Sequence, residues 1–300
     1  MDLKGKVFEI QQLIGQNKFS KALIKSEKLI KKHPNNSYIY NLYGLILQKE
    51  GKLLSSIKQF DKAIFFDPHN YAALNNLAVS YKNLFNYKKA EDLYKEVIRK
   101  DPKNIKALNN YANLKKELNK YNEAKTLLLK ALEINHKDIN ILSNIATCCH
   151  GIGENDEAKN YASKILDLDP KNMNIHRFLS SILKYKKDTS HLETMKKFLD
   201  AEHLKNLLPT EKIDLYFALG KANEDINDYE SSFKFISRAN STMRENNNFD
   251  ISKIKKLFNN IKKIFQTLDL NILKKKQSNK KIIFICGMPR SGTTLIEQII

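Results

Sequence analysis

The chain has 300 residues, 42% hydrophobic and 28% charged, with 52 Lys and Arg against 33 Asp and Glu for a formal net charge of +19. That apolar share excludes a wholly disordered chain, and no run reaches the roughly 18 uninterrupted apolar residues of a membrane span. The positive charge is spread along the sequence, so a solvated lysine surface stands against a polyanion groove as its meaning.

The opening "MDLKGKVFEIQQLIG" is charged and lacks an unbroken apolar core, so no signal peptide is expected. Cys148, Cys149 and Cys286 are odd in number and lack framework spacing, which argues for a reducing, cytoplasmic setting.

Internal repetition dominates the first half. Pro34, Pro68, Pro102 and Pro170 fall on one ladder of thirty-four residues, with His136 on the missing rung. Three of these prolines follow Asp, in "DPHN", "DPKN" and "DPKN", and each marks a helix stop. Twelve residues before the rungs stand Ala22, Ser56, Ala90, Ala124 and Ala158; twenty-four before the later rungs stand Gly44, Ala78, Ala112 and Ala146. All are small, as two closely approaching antiparallel helices require. Phe60, Tyr94 and Leu128, eight before the rungs, are their large partners, and Ser26 and Ala162 depart from that rule.

This pattern resembles the tetratricopeptide repeat, strongly over 37–172 and more weakly before. The resemblance implies an all-α solenoid over residues 1–172, with 1–36 degenerate and four clear repeats in 37–172, neighbouring hairpins sharing one continuous core. Asparagines recur on the first helix of each hairpin: Asn41, Asn75 and Asn109 at one offset, and Asn76, Asn110 and Asn144 at the next. Side-chain amides can donate to and accept from a peptide backbone without reading its sequence. A similar ladder lines the repeats of the O-linked N-acetylglucosamine transferase, so Asn76, Asn110 and Asn144 are candidate peptide-binding residues on a concave face. Asparagine-rich composition with ordinary repeat consensus is the competing account.

Helical periodicity continues through 173–272. "NMNIHRFLSSILKYKKD" and "SHLETMKKFLDAEHLKNL" each read as one helix. A further pair follows, with Gly220 at the small position and Tyr229 and Phe233 expected to pack its second helix. Ile251, Ile254, Leu257, Phe258, Ile261, Ile264, Phe265 and Leu268 then predict a long amphipathic helix whose other face carries lysines. Such a helix suits either a membrane surface or a terminal position with a wet outer face. Residues 273–281 read as a basic linker.

The last segment, 282–300, is of another kind. Residues up to Cys286 read as a buried strand, followed by a glycine-bearing turn and a helix start in "GMPRSGTTLIEQII". Such a turn presents backbone N–H groups and a helix N-terminus to an anion. Gly287, Gly292 and Thr294 fit the Walker A frame, but Thr293 stands where its lysine belongs, which excludes an ordinary ATPase site. "PRSGTT" instead resembles the 5′-phosphosulfate loop of sulfotransferases, and the whole arrangement resembles bacterial repeat-containing sulfotransferases related to the protein-tyrosine sulfotransferases.

The resemblance implies the first strand–loop–helix of an α/β P-loop-like domain and 3′-phosphoadenylyl sulfate (PAPS) as sulfuryl donor. Arg290, Ser291, Gly292, Thr293 and Thr294 would hold the donor, and Arg290 would be catalytic. No metal is expected. The family's base lies beyond this loop, so the 300 residues are expected to be an inactive part of a longer enzyme. Three function classes remain open: a sulfotransferase with peptide-presenting repeats, a repeat scaffold without activity, and a nucleic-acid binder, the last resting on charge alone and not expected.

Overall fold

The computed structural model describes residues 2–247 and 250–267, and all regular structure among them is helical. The chain divides into two units after Asn246.

Ten helices of the first unit form five successive hairpins. They are Leu3–Gly15 (α1) with Phe19–Lys32 (α2), Ser37–Lys49 (α3) with Leu53–Phe66 (α4), and Tyr71–Asn83 (α5) with Tyr87–Lys100 (α6). Ile105–Glu117 (α7) with Tyr121–Ile134 (α8) and Ile139–Gly151 (α9) with Asn155–Leu168 (α10) complete them. Met173–Ile182 (α11), Ser190–Lys197 (α12), Ala201–Asn206 (α13), Pro209–Asp225 (α14) and Tyr229–Asn246 (α15) follow.

Caps and corners recur with the sequence period. Asp2, Asn36, Asn70, Asn104 and Asp138 each accept a first-turn backbone N–H and so start the first helix of a hairpin, and Asn172 starts α11 in the same way. In the two "DPKN" strings the aspartate also accepts from the asparagine amide, Asn104 to Asp101 at 3.0 Å and Asn172 to Asp169 at 3.1 Å. The same four residues therefore stop one helix and launch the next. At the hairpin corners Asn17, Gly51, Phe85, Asn119 and Gly153 all have positive φ, again thirty-four residues apart.

The core is built as the small-residue spacing requires. Ala22, Ser56, Ala90, Ala124 and Ala158 are fully buried, as are Phe60, Tyr94 and Leu128. Leu108 and Ala112 of α7 and Leu128 of α8 share a cluster with Ile141 of α9, so one hairpin's core runs into the next. Lateral burial of this kind, not helix propensity, holds thirteen- and fourteen-residue helices together.

Two expectations for the later helices are corrected. "SHLETMKKFLDAEHLKNL" is two helices rather than one, because Asp200 caps a new start by accepting the His203 N–H at 2.7 Å. Gly220 does take the small position, where an added Cβ would stand 2.7 Å from Ile236 Cγ1. Tyr229 and Phe233 do not pack that hairpin; they are 65% and 75% exposed. Counted from Gly220, the offsets that link Gly44 to Ser56 and Phe60 lead to Ser232 and Ile236, which puts both aromatics on the outer side.

In the second unit, Ile251–Thr267 (α16) is the long amphipathic helix up to Thr267. Leu268, the linker 273–281, Cys286, the strand and the turn carrying Arg290, Ser291, Gly292, Thr293 and Thr294 lie outside the described residues.

Candidate binding face

Successive first helices lie directly against one another, α1 on α3, α3 on α5 and α5 on α7. Each second helix packs on its own partner and on the next first helix. The first helices therefore form the inner face of the stack, and the side chains they present there define the candidate site.

At one end that face is apolar. Leu3, Val7, Phe8 and Tyr38 line a groove of about 470 Å³, and Gln11 Nε2 donates to Tyr38 Oη at 2.7 Å. Further along, the asparagines meet each other. Asn76 Nδ2 donates to Asn41 Oδ1 at 2.9 Å, Asn110 Nδ2 to Asn75 Oδ1 at 3.1 Å, and Asn144 Nδ2 to Asn109 Oδ1 at 2.8 Å. Asn41 and Asn75 are buried, while Asn76, Asn110 and Asn144 are half-buried. Each donor asparagine keeps a second N–H, and Asn76 and Asn110 keep an amide oxygen with no intramolecular donor among the described residues.

One further offset matters on this face, occupied by Gln48, Lys82 and Lys116. Gln48 Nε2 donates to the Asn76 carbonyl at 2.9 Å and to Ser80 Oγ at 2.8 Å. Lys82 Nζ pairs with Glu117 at 2.9 Å. Lys116 Nζ donates to Asn144 Oδ1 at 2.6 Å, and burial lowers its pKa. The equal spacing of these three residues is visible in the sequence; their different partners are not.

Two other clusters lie off this face. Lys125 Nζ sits 2.6 Å from both Glu154 Oε2 and Glu157 Oε2, beside Cys149, so an internal ammonium neutralises that thiol–carboxylate group. Burial, with the glutamates beside it, pushes the Cys149 thiol up to about 11. Cys148 and Cys149 are free and buried, as packing residues. The second cluster is a relay. His176 Nε2 meets the Pro170 carbonyl at 3.0 Å, His176 Nδ1 meets His191 Nε2 at 2.8 Å, and His191 Nδ1 meets Tyr185 Oη at 2.6 Å.

The solved structure of a tetratricopeptide repeat protein from Parabacteroides merdae superposes with a TM-score of 0.55 at 19% identity, covering 85% of this chain and 96% of that one. Residues 2–246 form a tetratricopeptide-repeat solenoid. The same fold appears in the repeat protein TTC0263 of Thermus thermophilus, with a TM-score of 0.53 at 18% identity over 60% of this chain and 97% of that one. It appears again in pilF of Pseudomonas aeruginosa, with a TM-score of 0.52 at 21% identity over 66% and 88%.

Two families match stretches of the solenoid, each over less than half of the chain. They are the Psidin N-terminal TPR repeats region over residues 5–115 and the coatomer epsilon subunit over residues 72–188. An uncharacterized protein of Aquifex aeolicus is 35% identical over 85 residues, 28% of this chain and 11% of its own length. The uncharacterized protein ycf37 of Pyropia yezoensis is 33% identical over 94 residues, 28% of this chain and 53% of its own. The chain thus spans about a tenth of the first relative and about half of the second. No helix among the described residues is long and apolar enough to cross a membrane.

Proposed function

We propose that the solenoid is a protein-interaction scaffold whose inner face holds an extended peptide. The observation that carries this is the periodic set of amide pairs, 76 to 41, 110 to 75 and 144 to 109. Each pair presents unused amide donors or acceptors at one-repeat intervals, which suits a ligand whose own N–H and C=O groups repeat. The apolar groove by Phe8 and Tyr38 offers an anchor at one end. Two free buried thiols support a reducing, cytoplasmic setting.

Selection from a displayed random peptide library on the full chain, followed by anisotropy titrations, tests the reading. Combined replacement of Asn76, Asn110 and Asn144 by Ala is expected to weaken selected peptides by about tenfold or more. A folded triple variant with unchanged affinity would remove the asparagines from the site.

A second reading concerns the segment beyond the solenoid and rests on "PRSGTT" alone. In it, Arg290, Ser291, Gly292, Thr293 and Thr294 hold the phosphosulfate of PAPS, Arg290 steadies charge on the migrating sulfuryl group, and the solenoid presents the acceptor. Calorimetry on the full gene product, comparing 3′-phosphoadenosine 5′-phosphate with ATP, tests it. Tight binding of ATP alone would end this reading and leave the scaffold.

A further inference from the structure

The inner face carries a half-buried cation that no carboxylate among the described residues neutralises. Lys82 and Lys116 occupy equivalent places one repeat apart, and Lys82 reaches Glu117, thirty-five residues on. The residue thirty-five on from Lys116 is Gly151, which has no side chain to offer. Nor is there room for one: a Cβ on Gly151 would lie 2.8 Å from Cδ1 of Tyr121, whose ring fills the space. The neighbouring lysines Lys115 and Lys125 each hold two glutamates. Among the described residues Lys116 pairs with no carboxylate, and its one hydrogen bond goes to the neutral amide of Asn144.

We infer that Lys116, held by Asn144, is a carboxylate-binding point on the inner face, and that the peptide it receives carries an acidic side chain there. This rests on the peptide-binding reading above and adds the chemistry of the ligand. An ammonium already half out of water, with two N–H groups unspent, gains more from a carboxylate than an exposed lysine does. Burial already lowers its pKa, and an arriving carboxylate reverses that effect. Asn144 fixes the head in place and is itself fixed by Asn109 at 2.8 Å, so little freedom remains to be lost on binding.

The test uses the full chain with lysine side chains labelled for NMR, and two blocked alanine-based heptapeptides that differ only in a central Glu or Gln. The Glu peptide is expected to bind about tenfold more tightly, to shift the Lys116 ε-methylene signal, and to raise its pKa. Lys116→Gln, which retains a donor for Asn144, should erase that preference, while Lys130→Gln, at an exposed lysine of the second helix α8, should leave it. Equal binding of both peptides, or a preference that survives Lys116→Gln, overturns the inference and leaves peptide binding standing. If neither peptide binds, both readings fall. If single-stranded RNA binds instead and Lys116→Gln weakens it, the ligand is a phosphate polymer and the peptide assignment is wrong.

Discussion

Phe60 lays its ring edge against the bare Cα of Gly44, so closely that a Cβ there would stand 2.6 Å from Cε1 and 2.7 Å from Cδ1. The ring is fully buried and cannot turn aside without displacing its neighbours. Gly44→Ala should therefore cost about 1–3 kcal/mol by overpacking, read as a lower urea midpoint. The repeat of Ala112 and Leu128 shows the remedy. Gly44→Ala combined with Phe60→Leu should lose less stability than the two single changes summed.

Tyr94 occupies the place of Phe60 one repeat later, and its buried hydroxyl has no hydrogen-bond partner among the described residues. Burial raises its pKa, which keeps it neutral. Tyr94→Phe removes an unsatisfied group without changing the ring's packing, and should stabilise the protein by about 1 kcal/mol in the same denaturation measurement. A loss of stability would mean that the hydroxyl is satisfied in solution.

Phe85 holds the left-handed corner that Asn17, Asn119, Gly51 and Gly153 hold elsewhere, at φ 58° and 75% exposed. A bulky side chain gains little there and strains the backbone. Phe85→Asn should stabilise by about 1 kcal/mol, and Phe85→Gly by a similar amount minus its greater unfolded-state entropy. Equilibrium urea unfolding of both variants is the check.

The relay of Pro170, His176, His191 and Tyr185 makes stability depend on pH. The Pro170 carbonyl can only accept, so His176 carries its proton on Nε2, His191 donates to His176 Nδ1, and Tyr185 donates to His191. Burial lowers the pKa of His176, with Asp169 opposing it; burial and His176 lower His191 to about 4. The unfolded chain takes up protons as pH falls through 6.5, while folded His191 resists until about 4. The contribution is whole above pH 6.5 and is lost as pH falls towards about 4. Urea midpoints should decline across that window, and His191→Gln should flatten the decline.

The first half of this architecture was legible because proline, small and large positions repeat at one interval that survives without any alignment. Past Pro170 the rungs cease, and the register has to be counted from Gly220 to Ser232 and Ile236; Tyr229 and Phe233 fall at neither offset, so aromatic character alone does not put them in the core. The asparagines were legible as residues but not as pairs. They read as two columns at thirty-four-residue spacing, whereas the stagger between adjacent inner helices sets each donor against a partner thirty-five residues back. The isolation of Lys116 was hidden for the same reason, since it depends on what Tyr121 fills beside Gly151.

Because each amide tie reaches only the adjoining hairpin, the length of the inner face is adjustable. Excising residues 71–104 would join Asn70 to Ile105, with Asn70 already able to serve as that helix's cap, and would bring Asn110 opposite Asn41. A shortened molecule could then close its seam with the original amide tie, while Leu114 in place of Ser80 would end the Gln48–Ser80 and Ser56–Ser80 links, and Glu117 and Lys115 would lose Lys82 and Glu91. A chain joined in this way can gain or lose reach in whole modules, and the ligand's length can change with it, without a new core being invented.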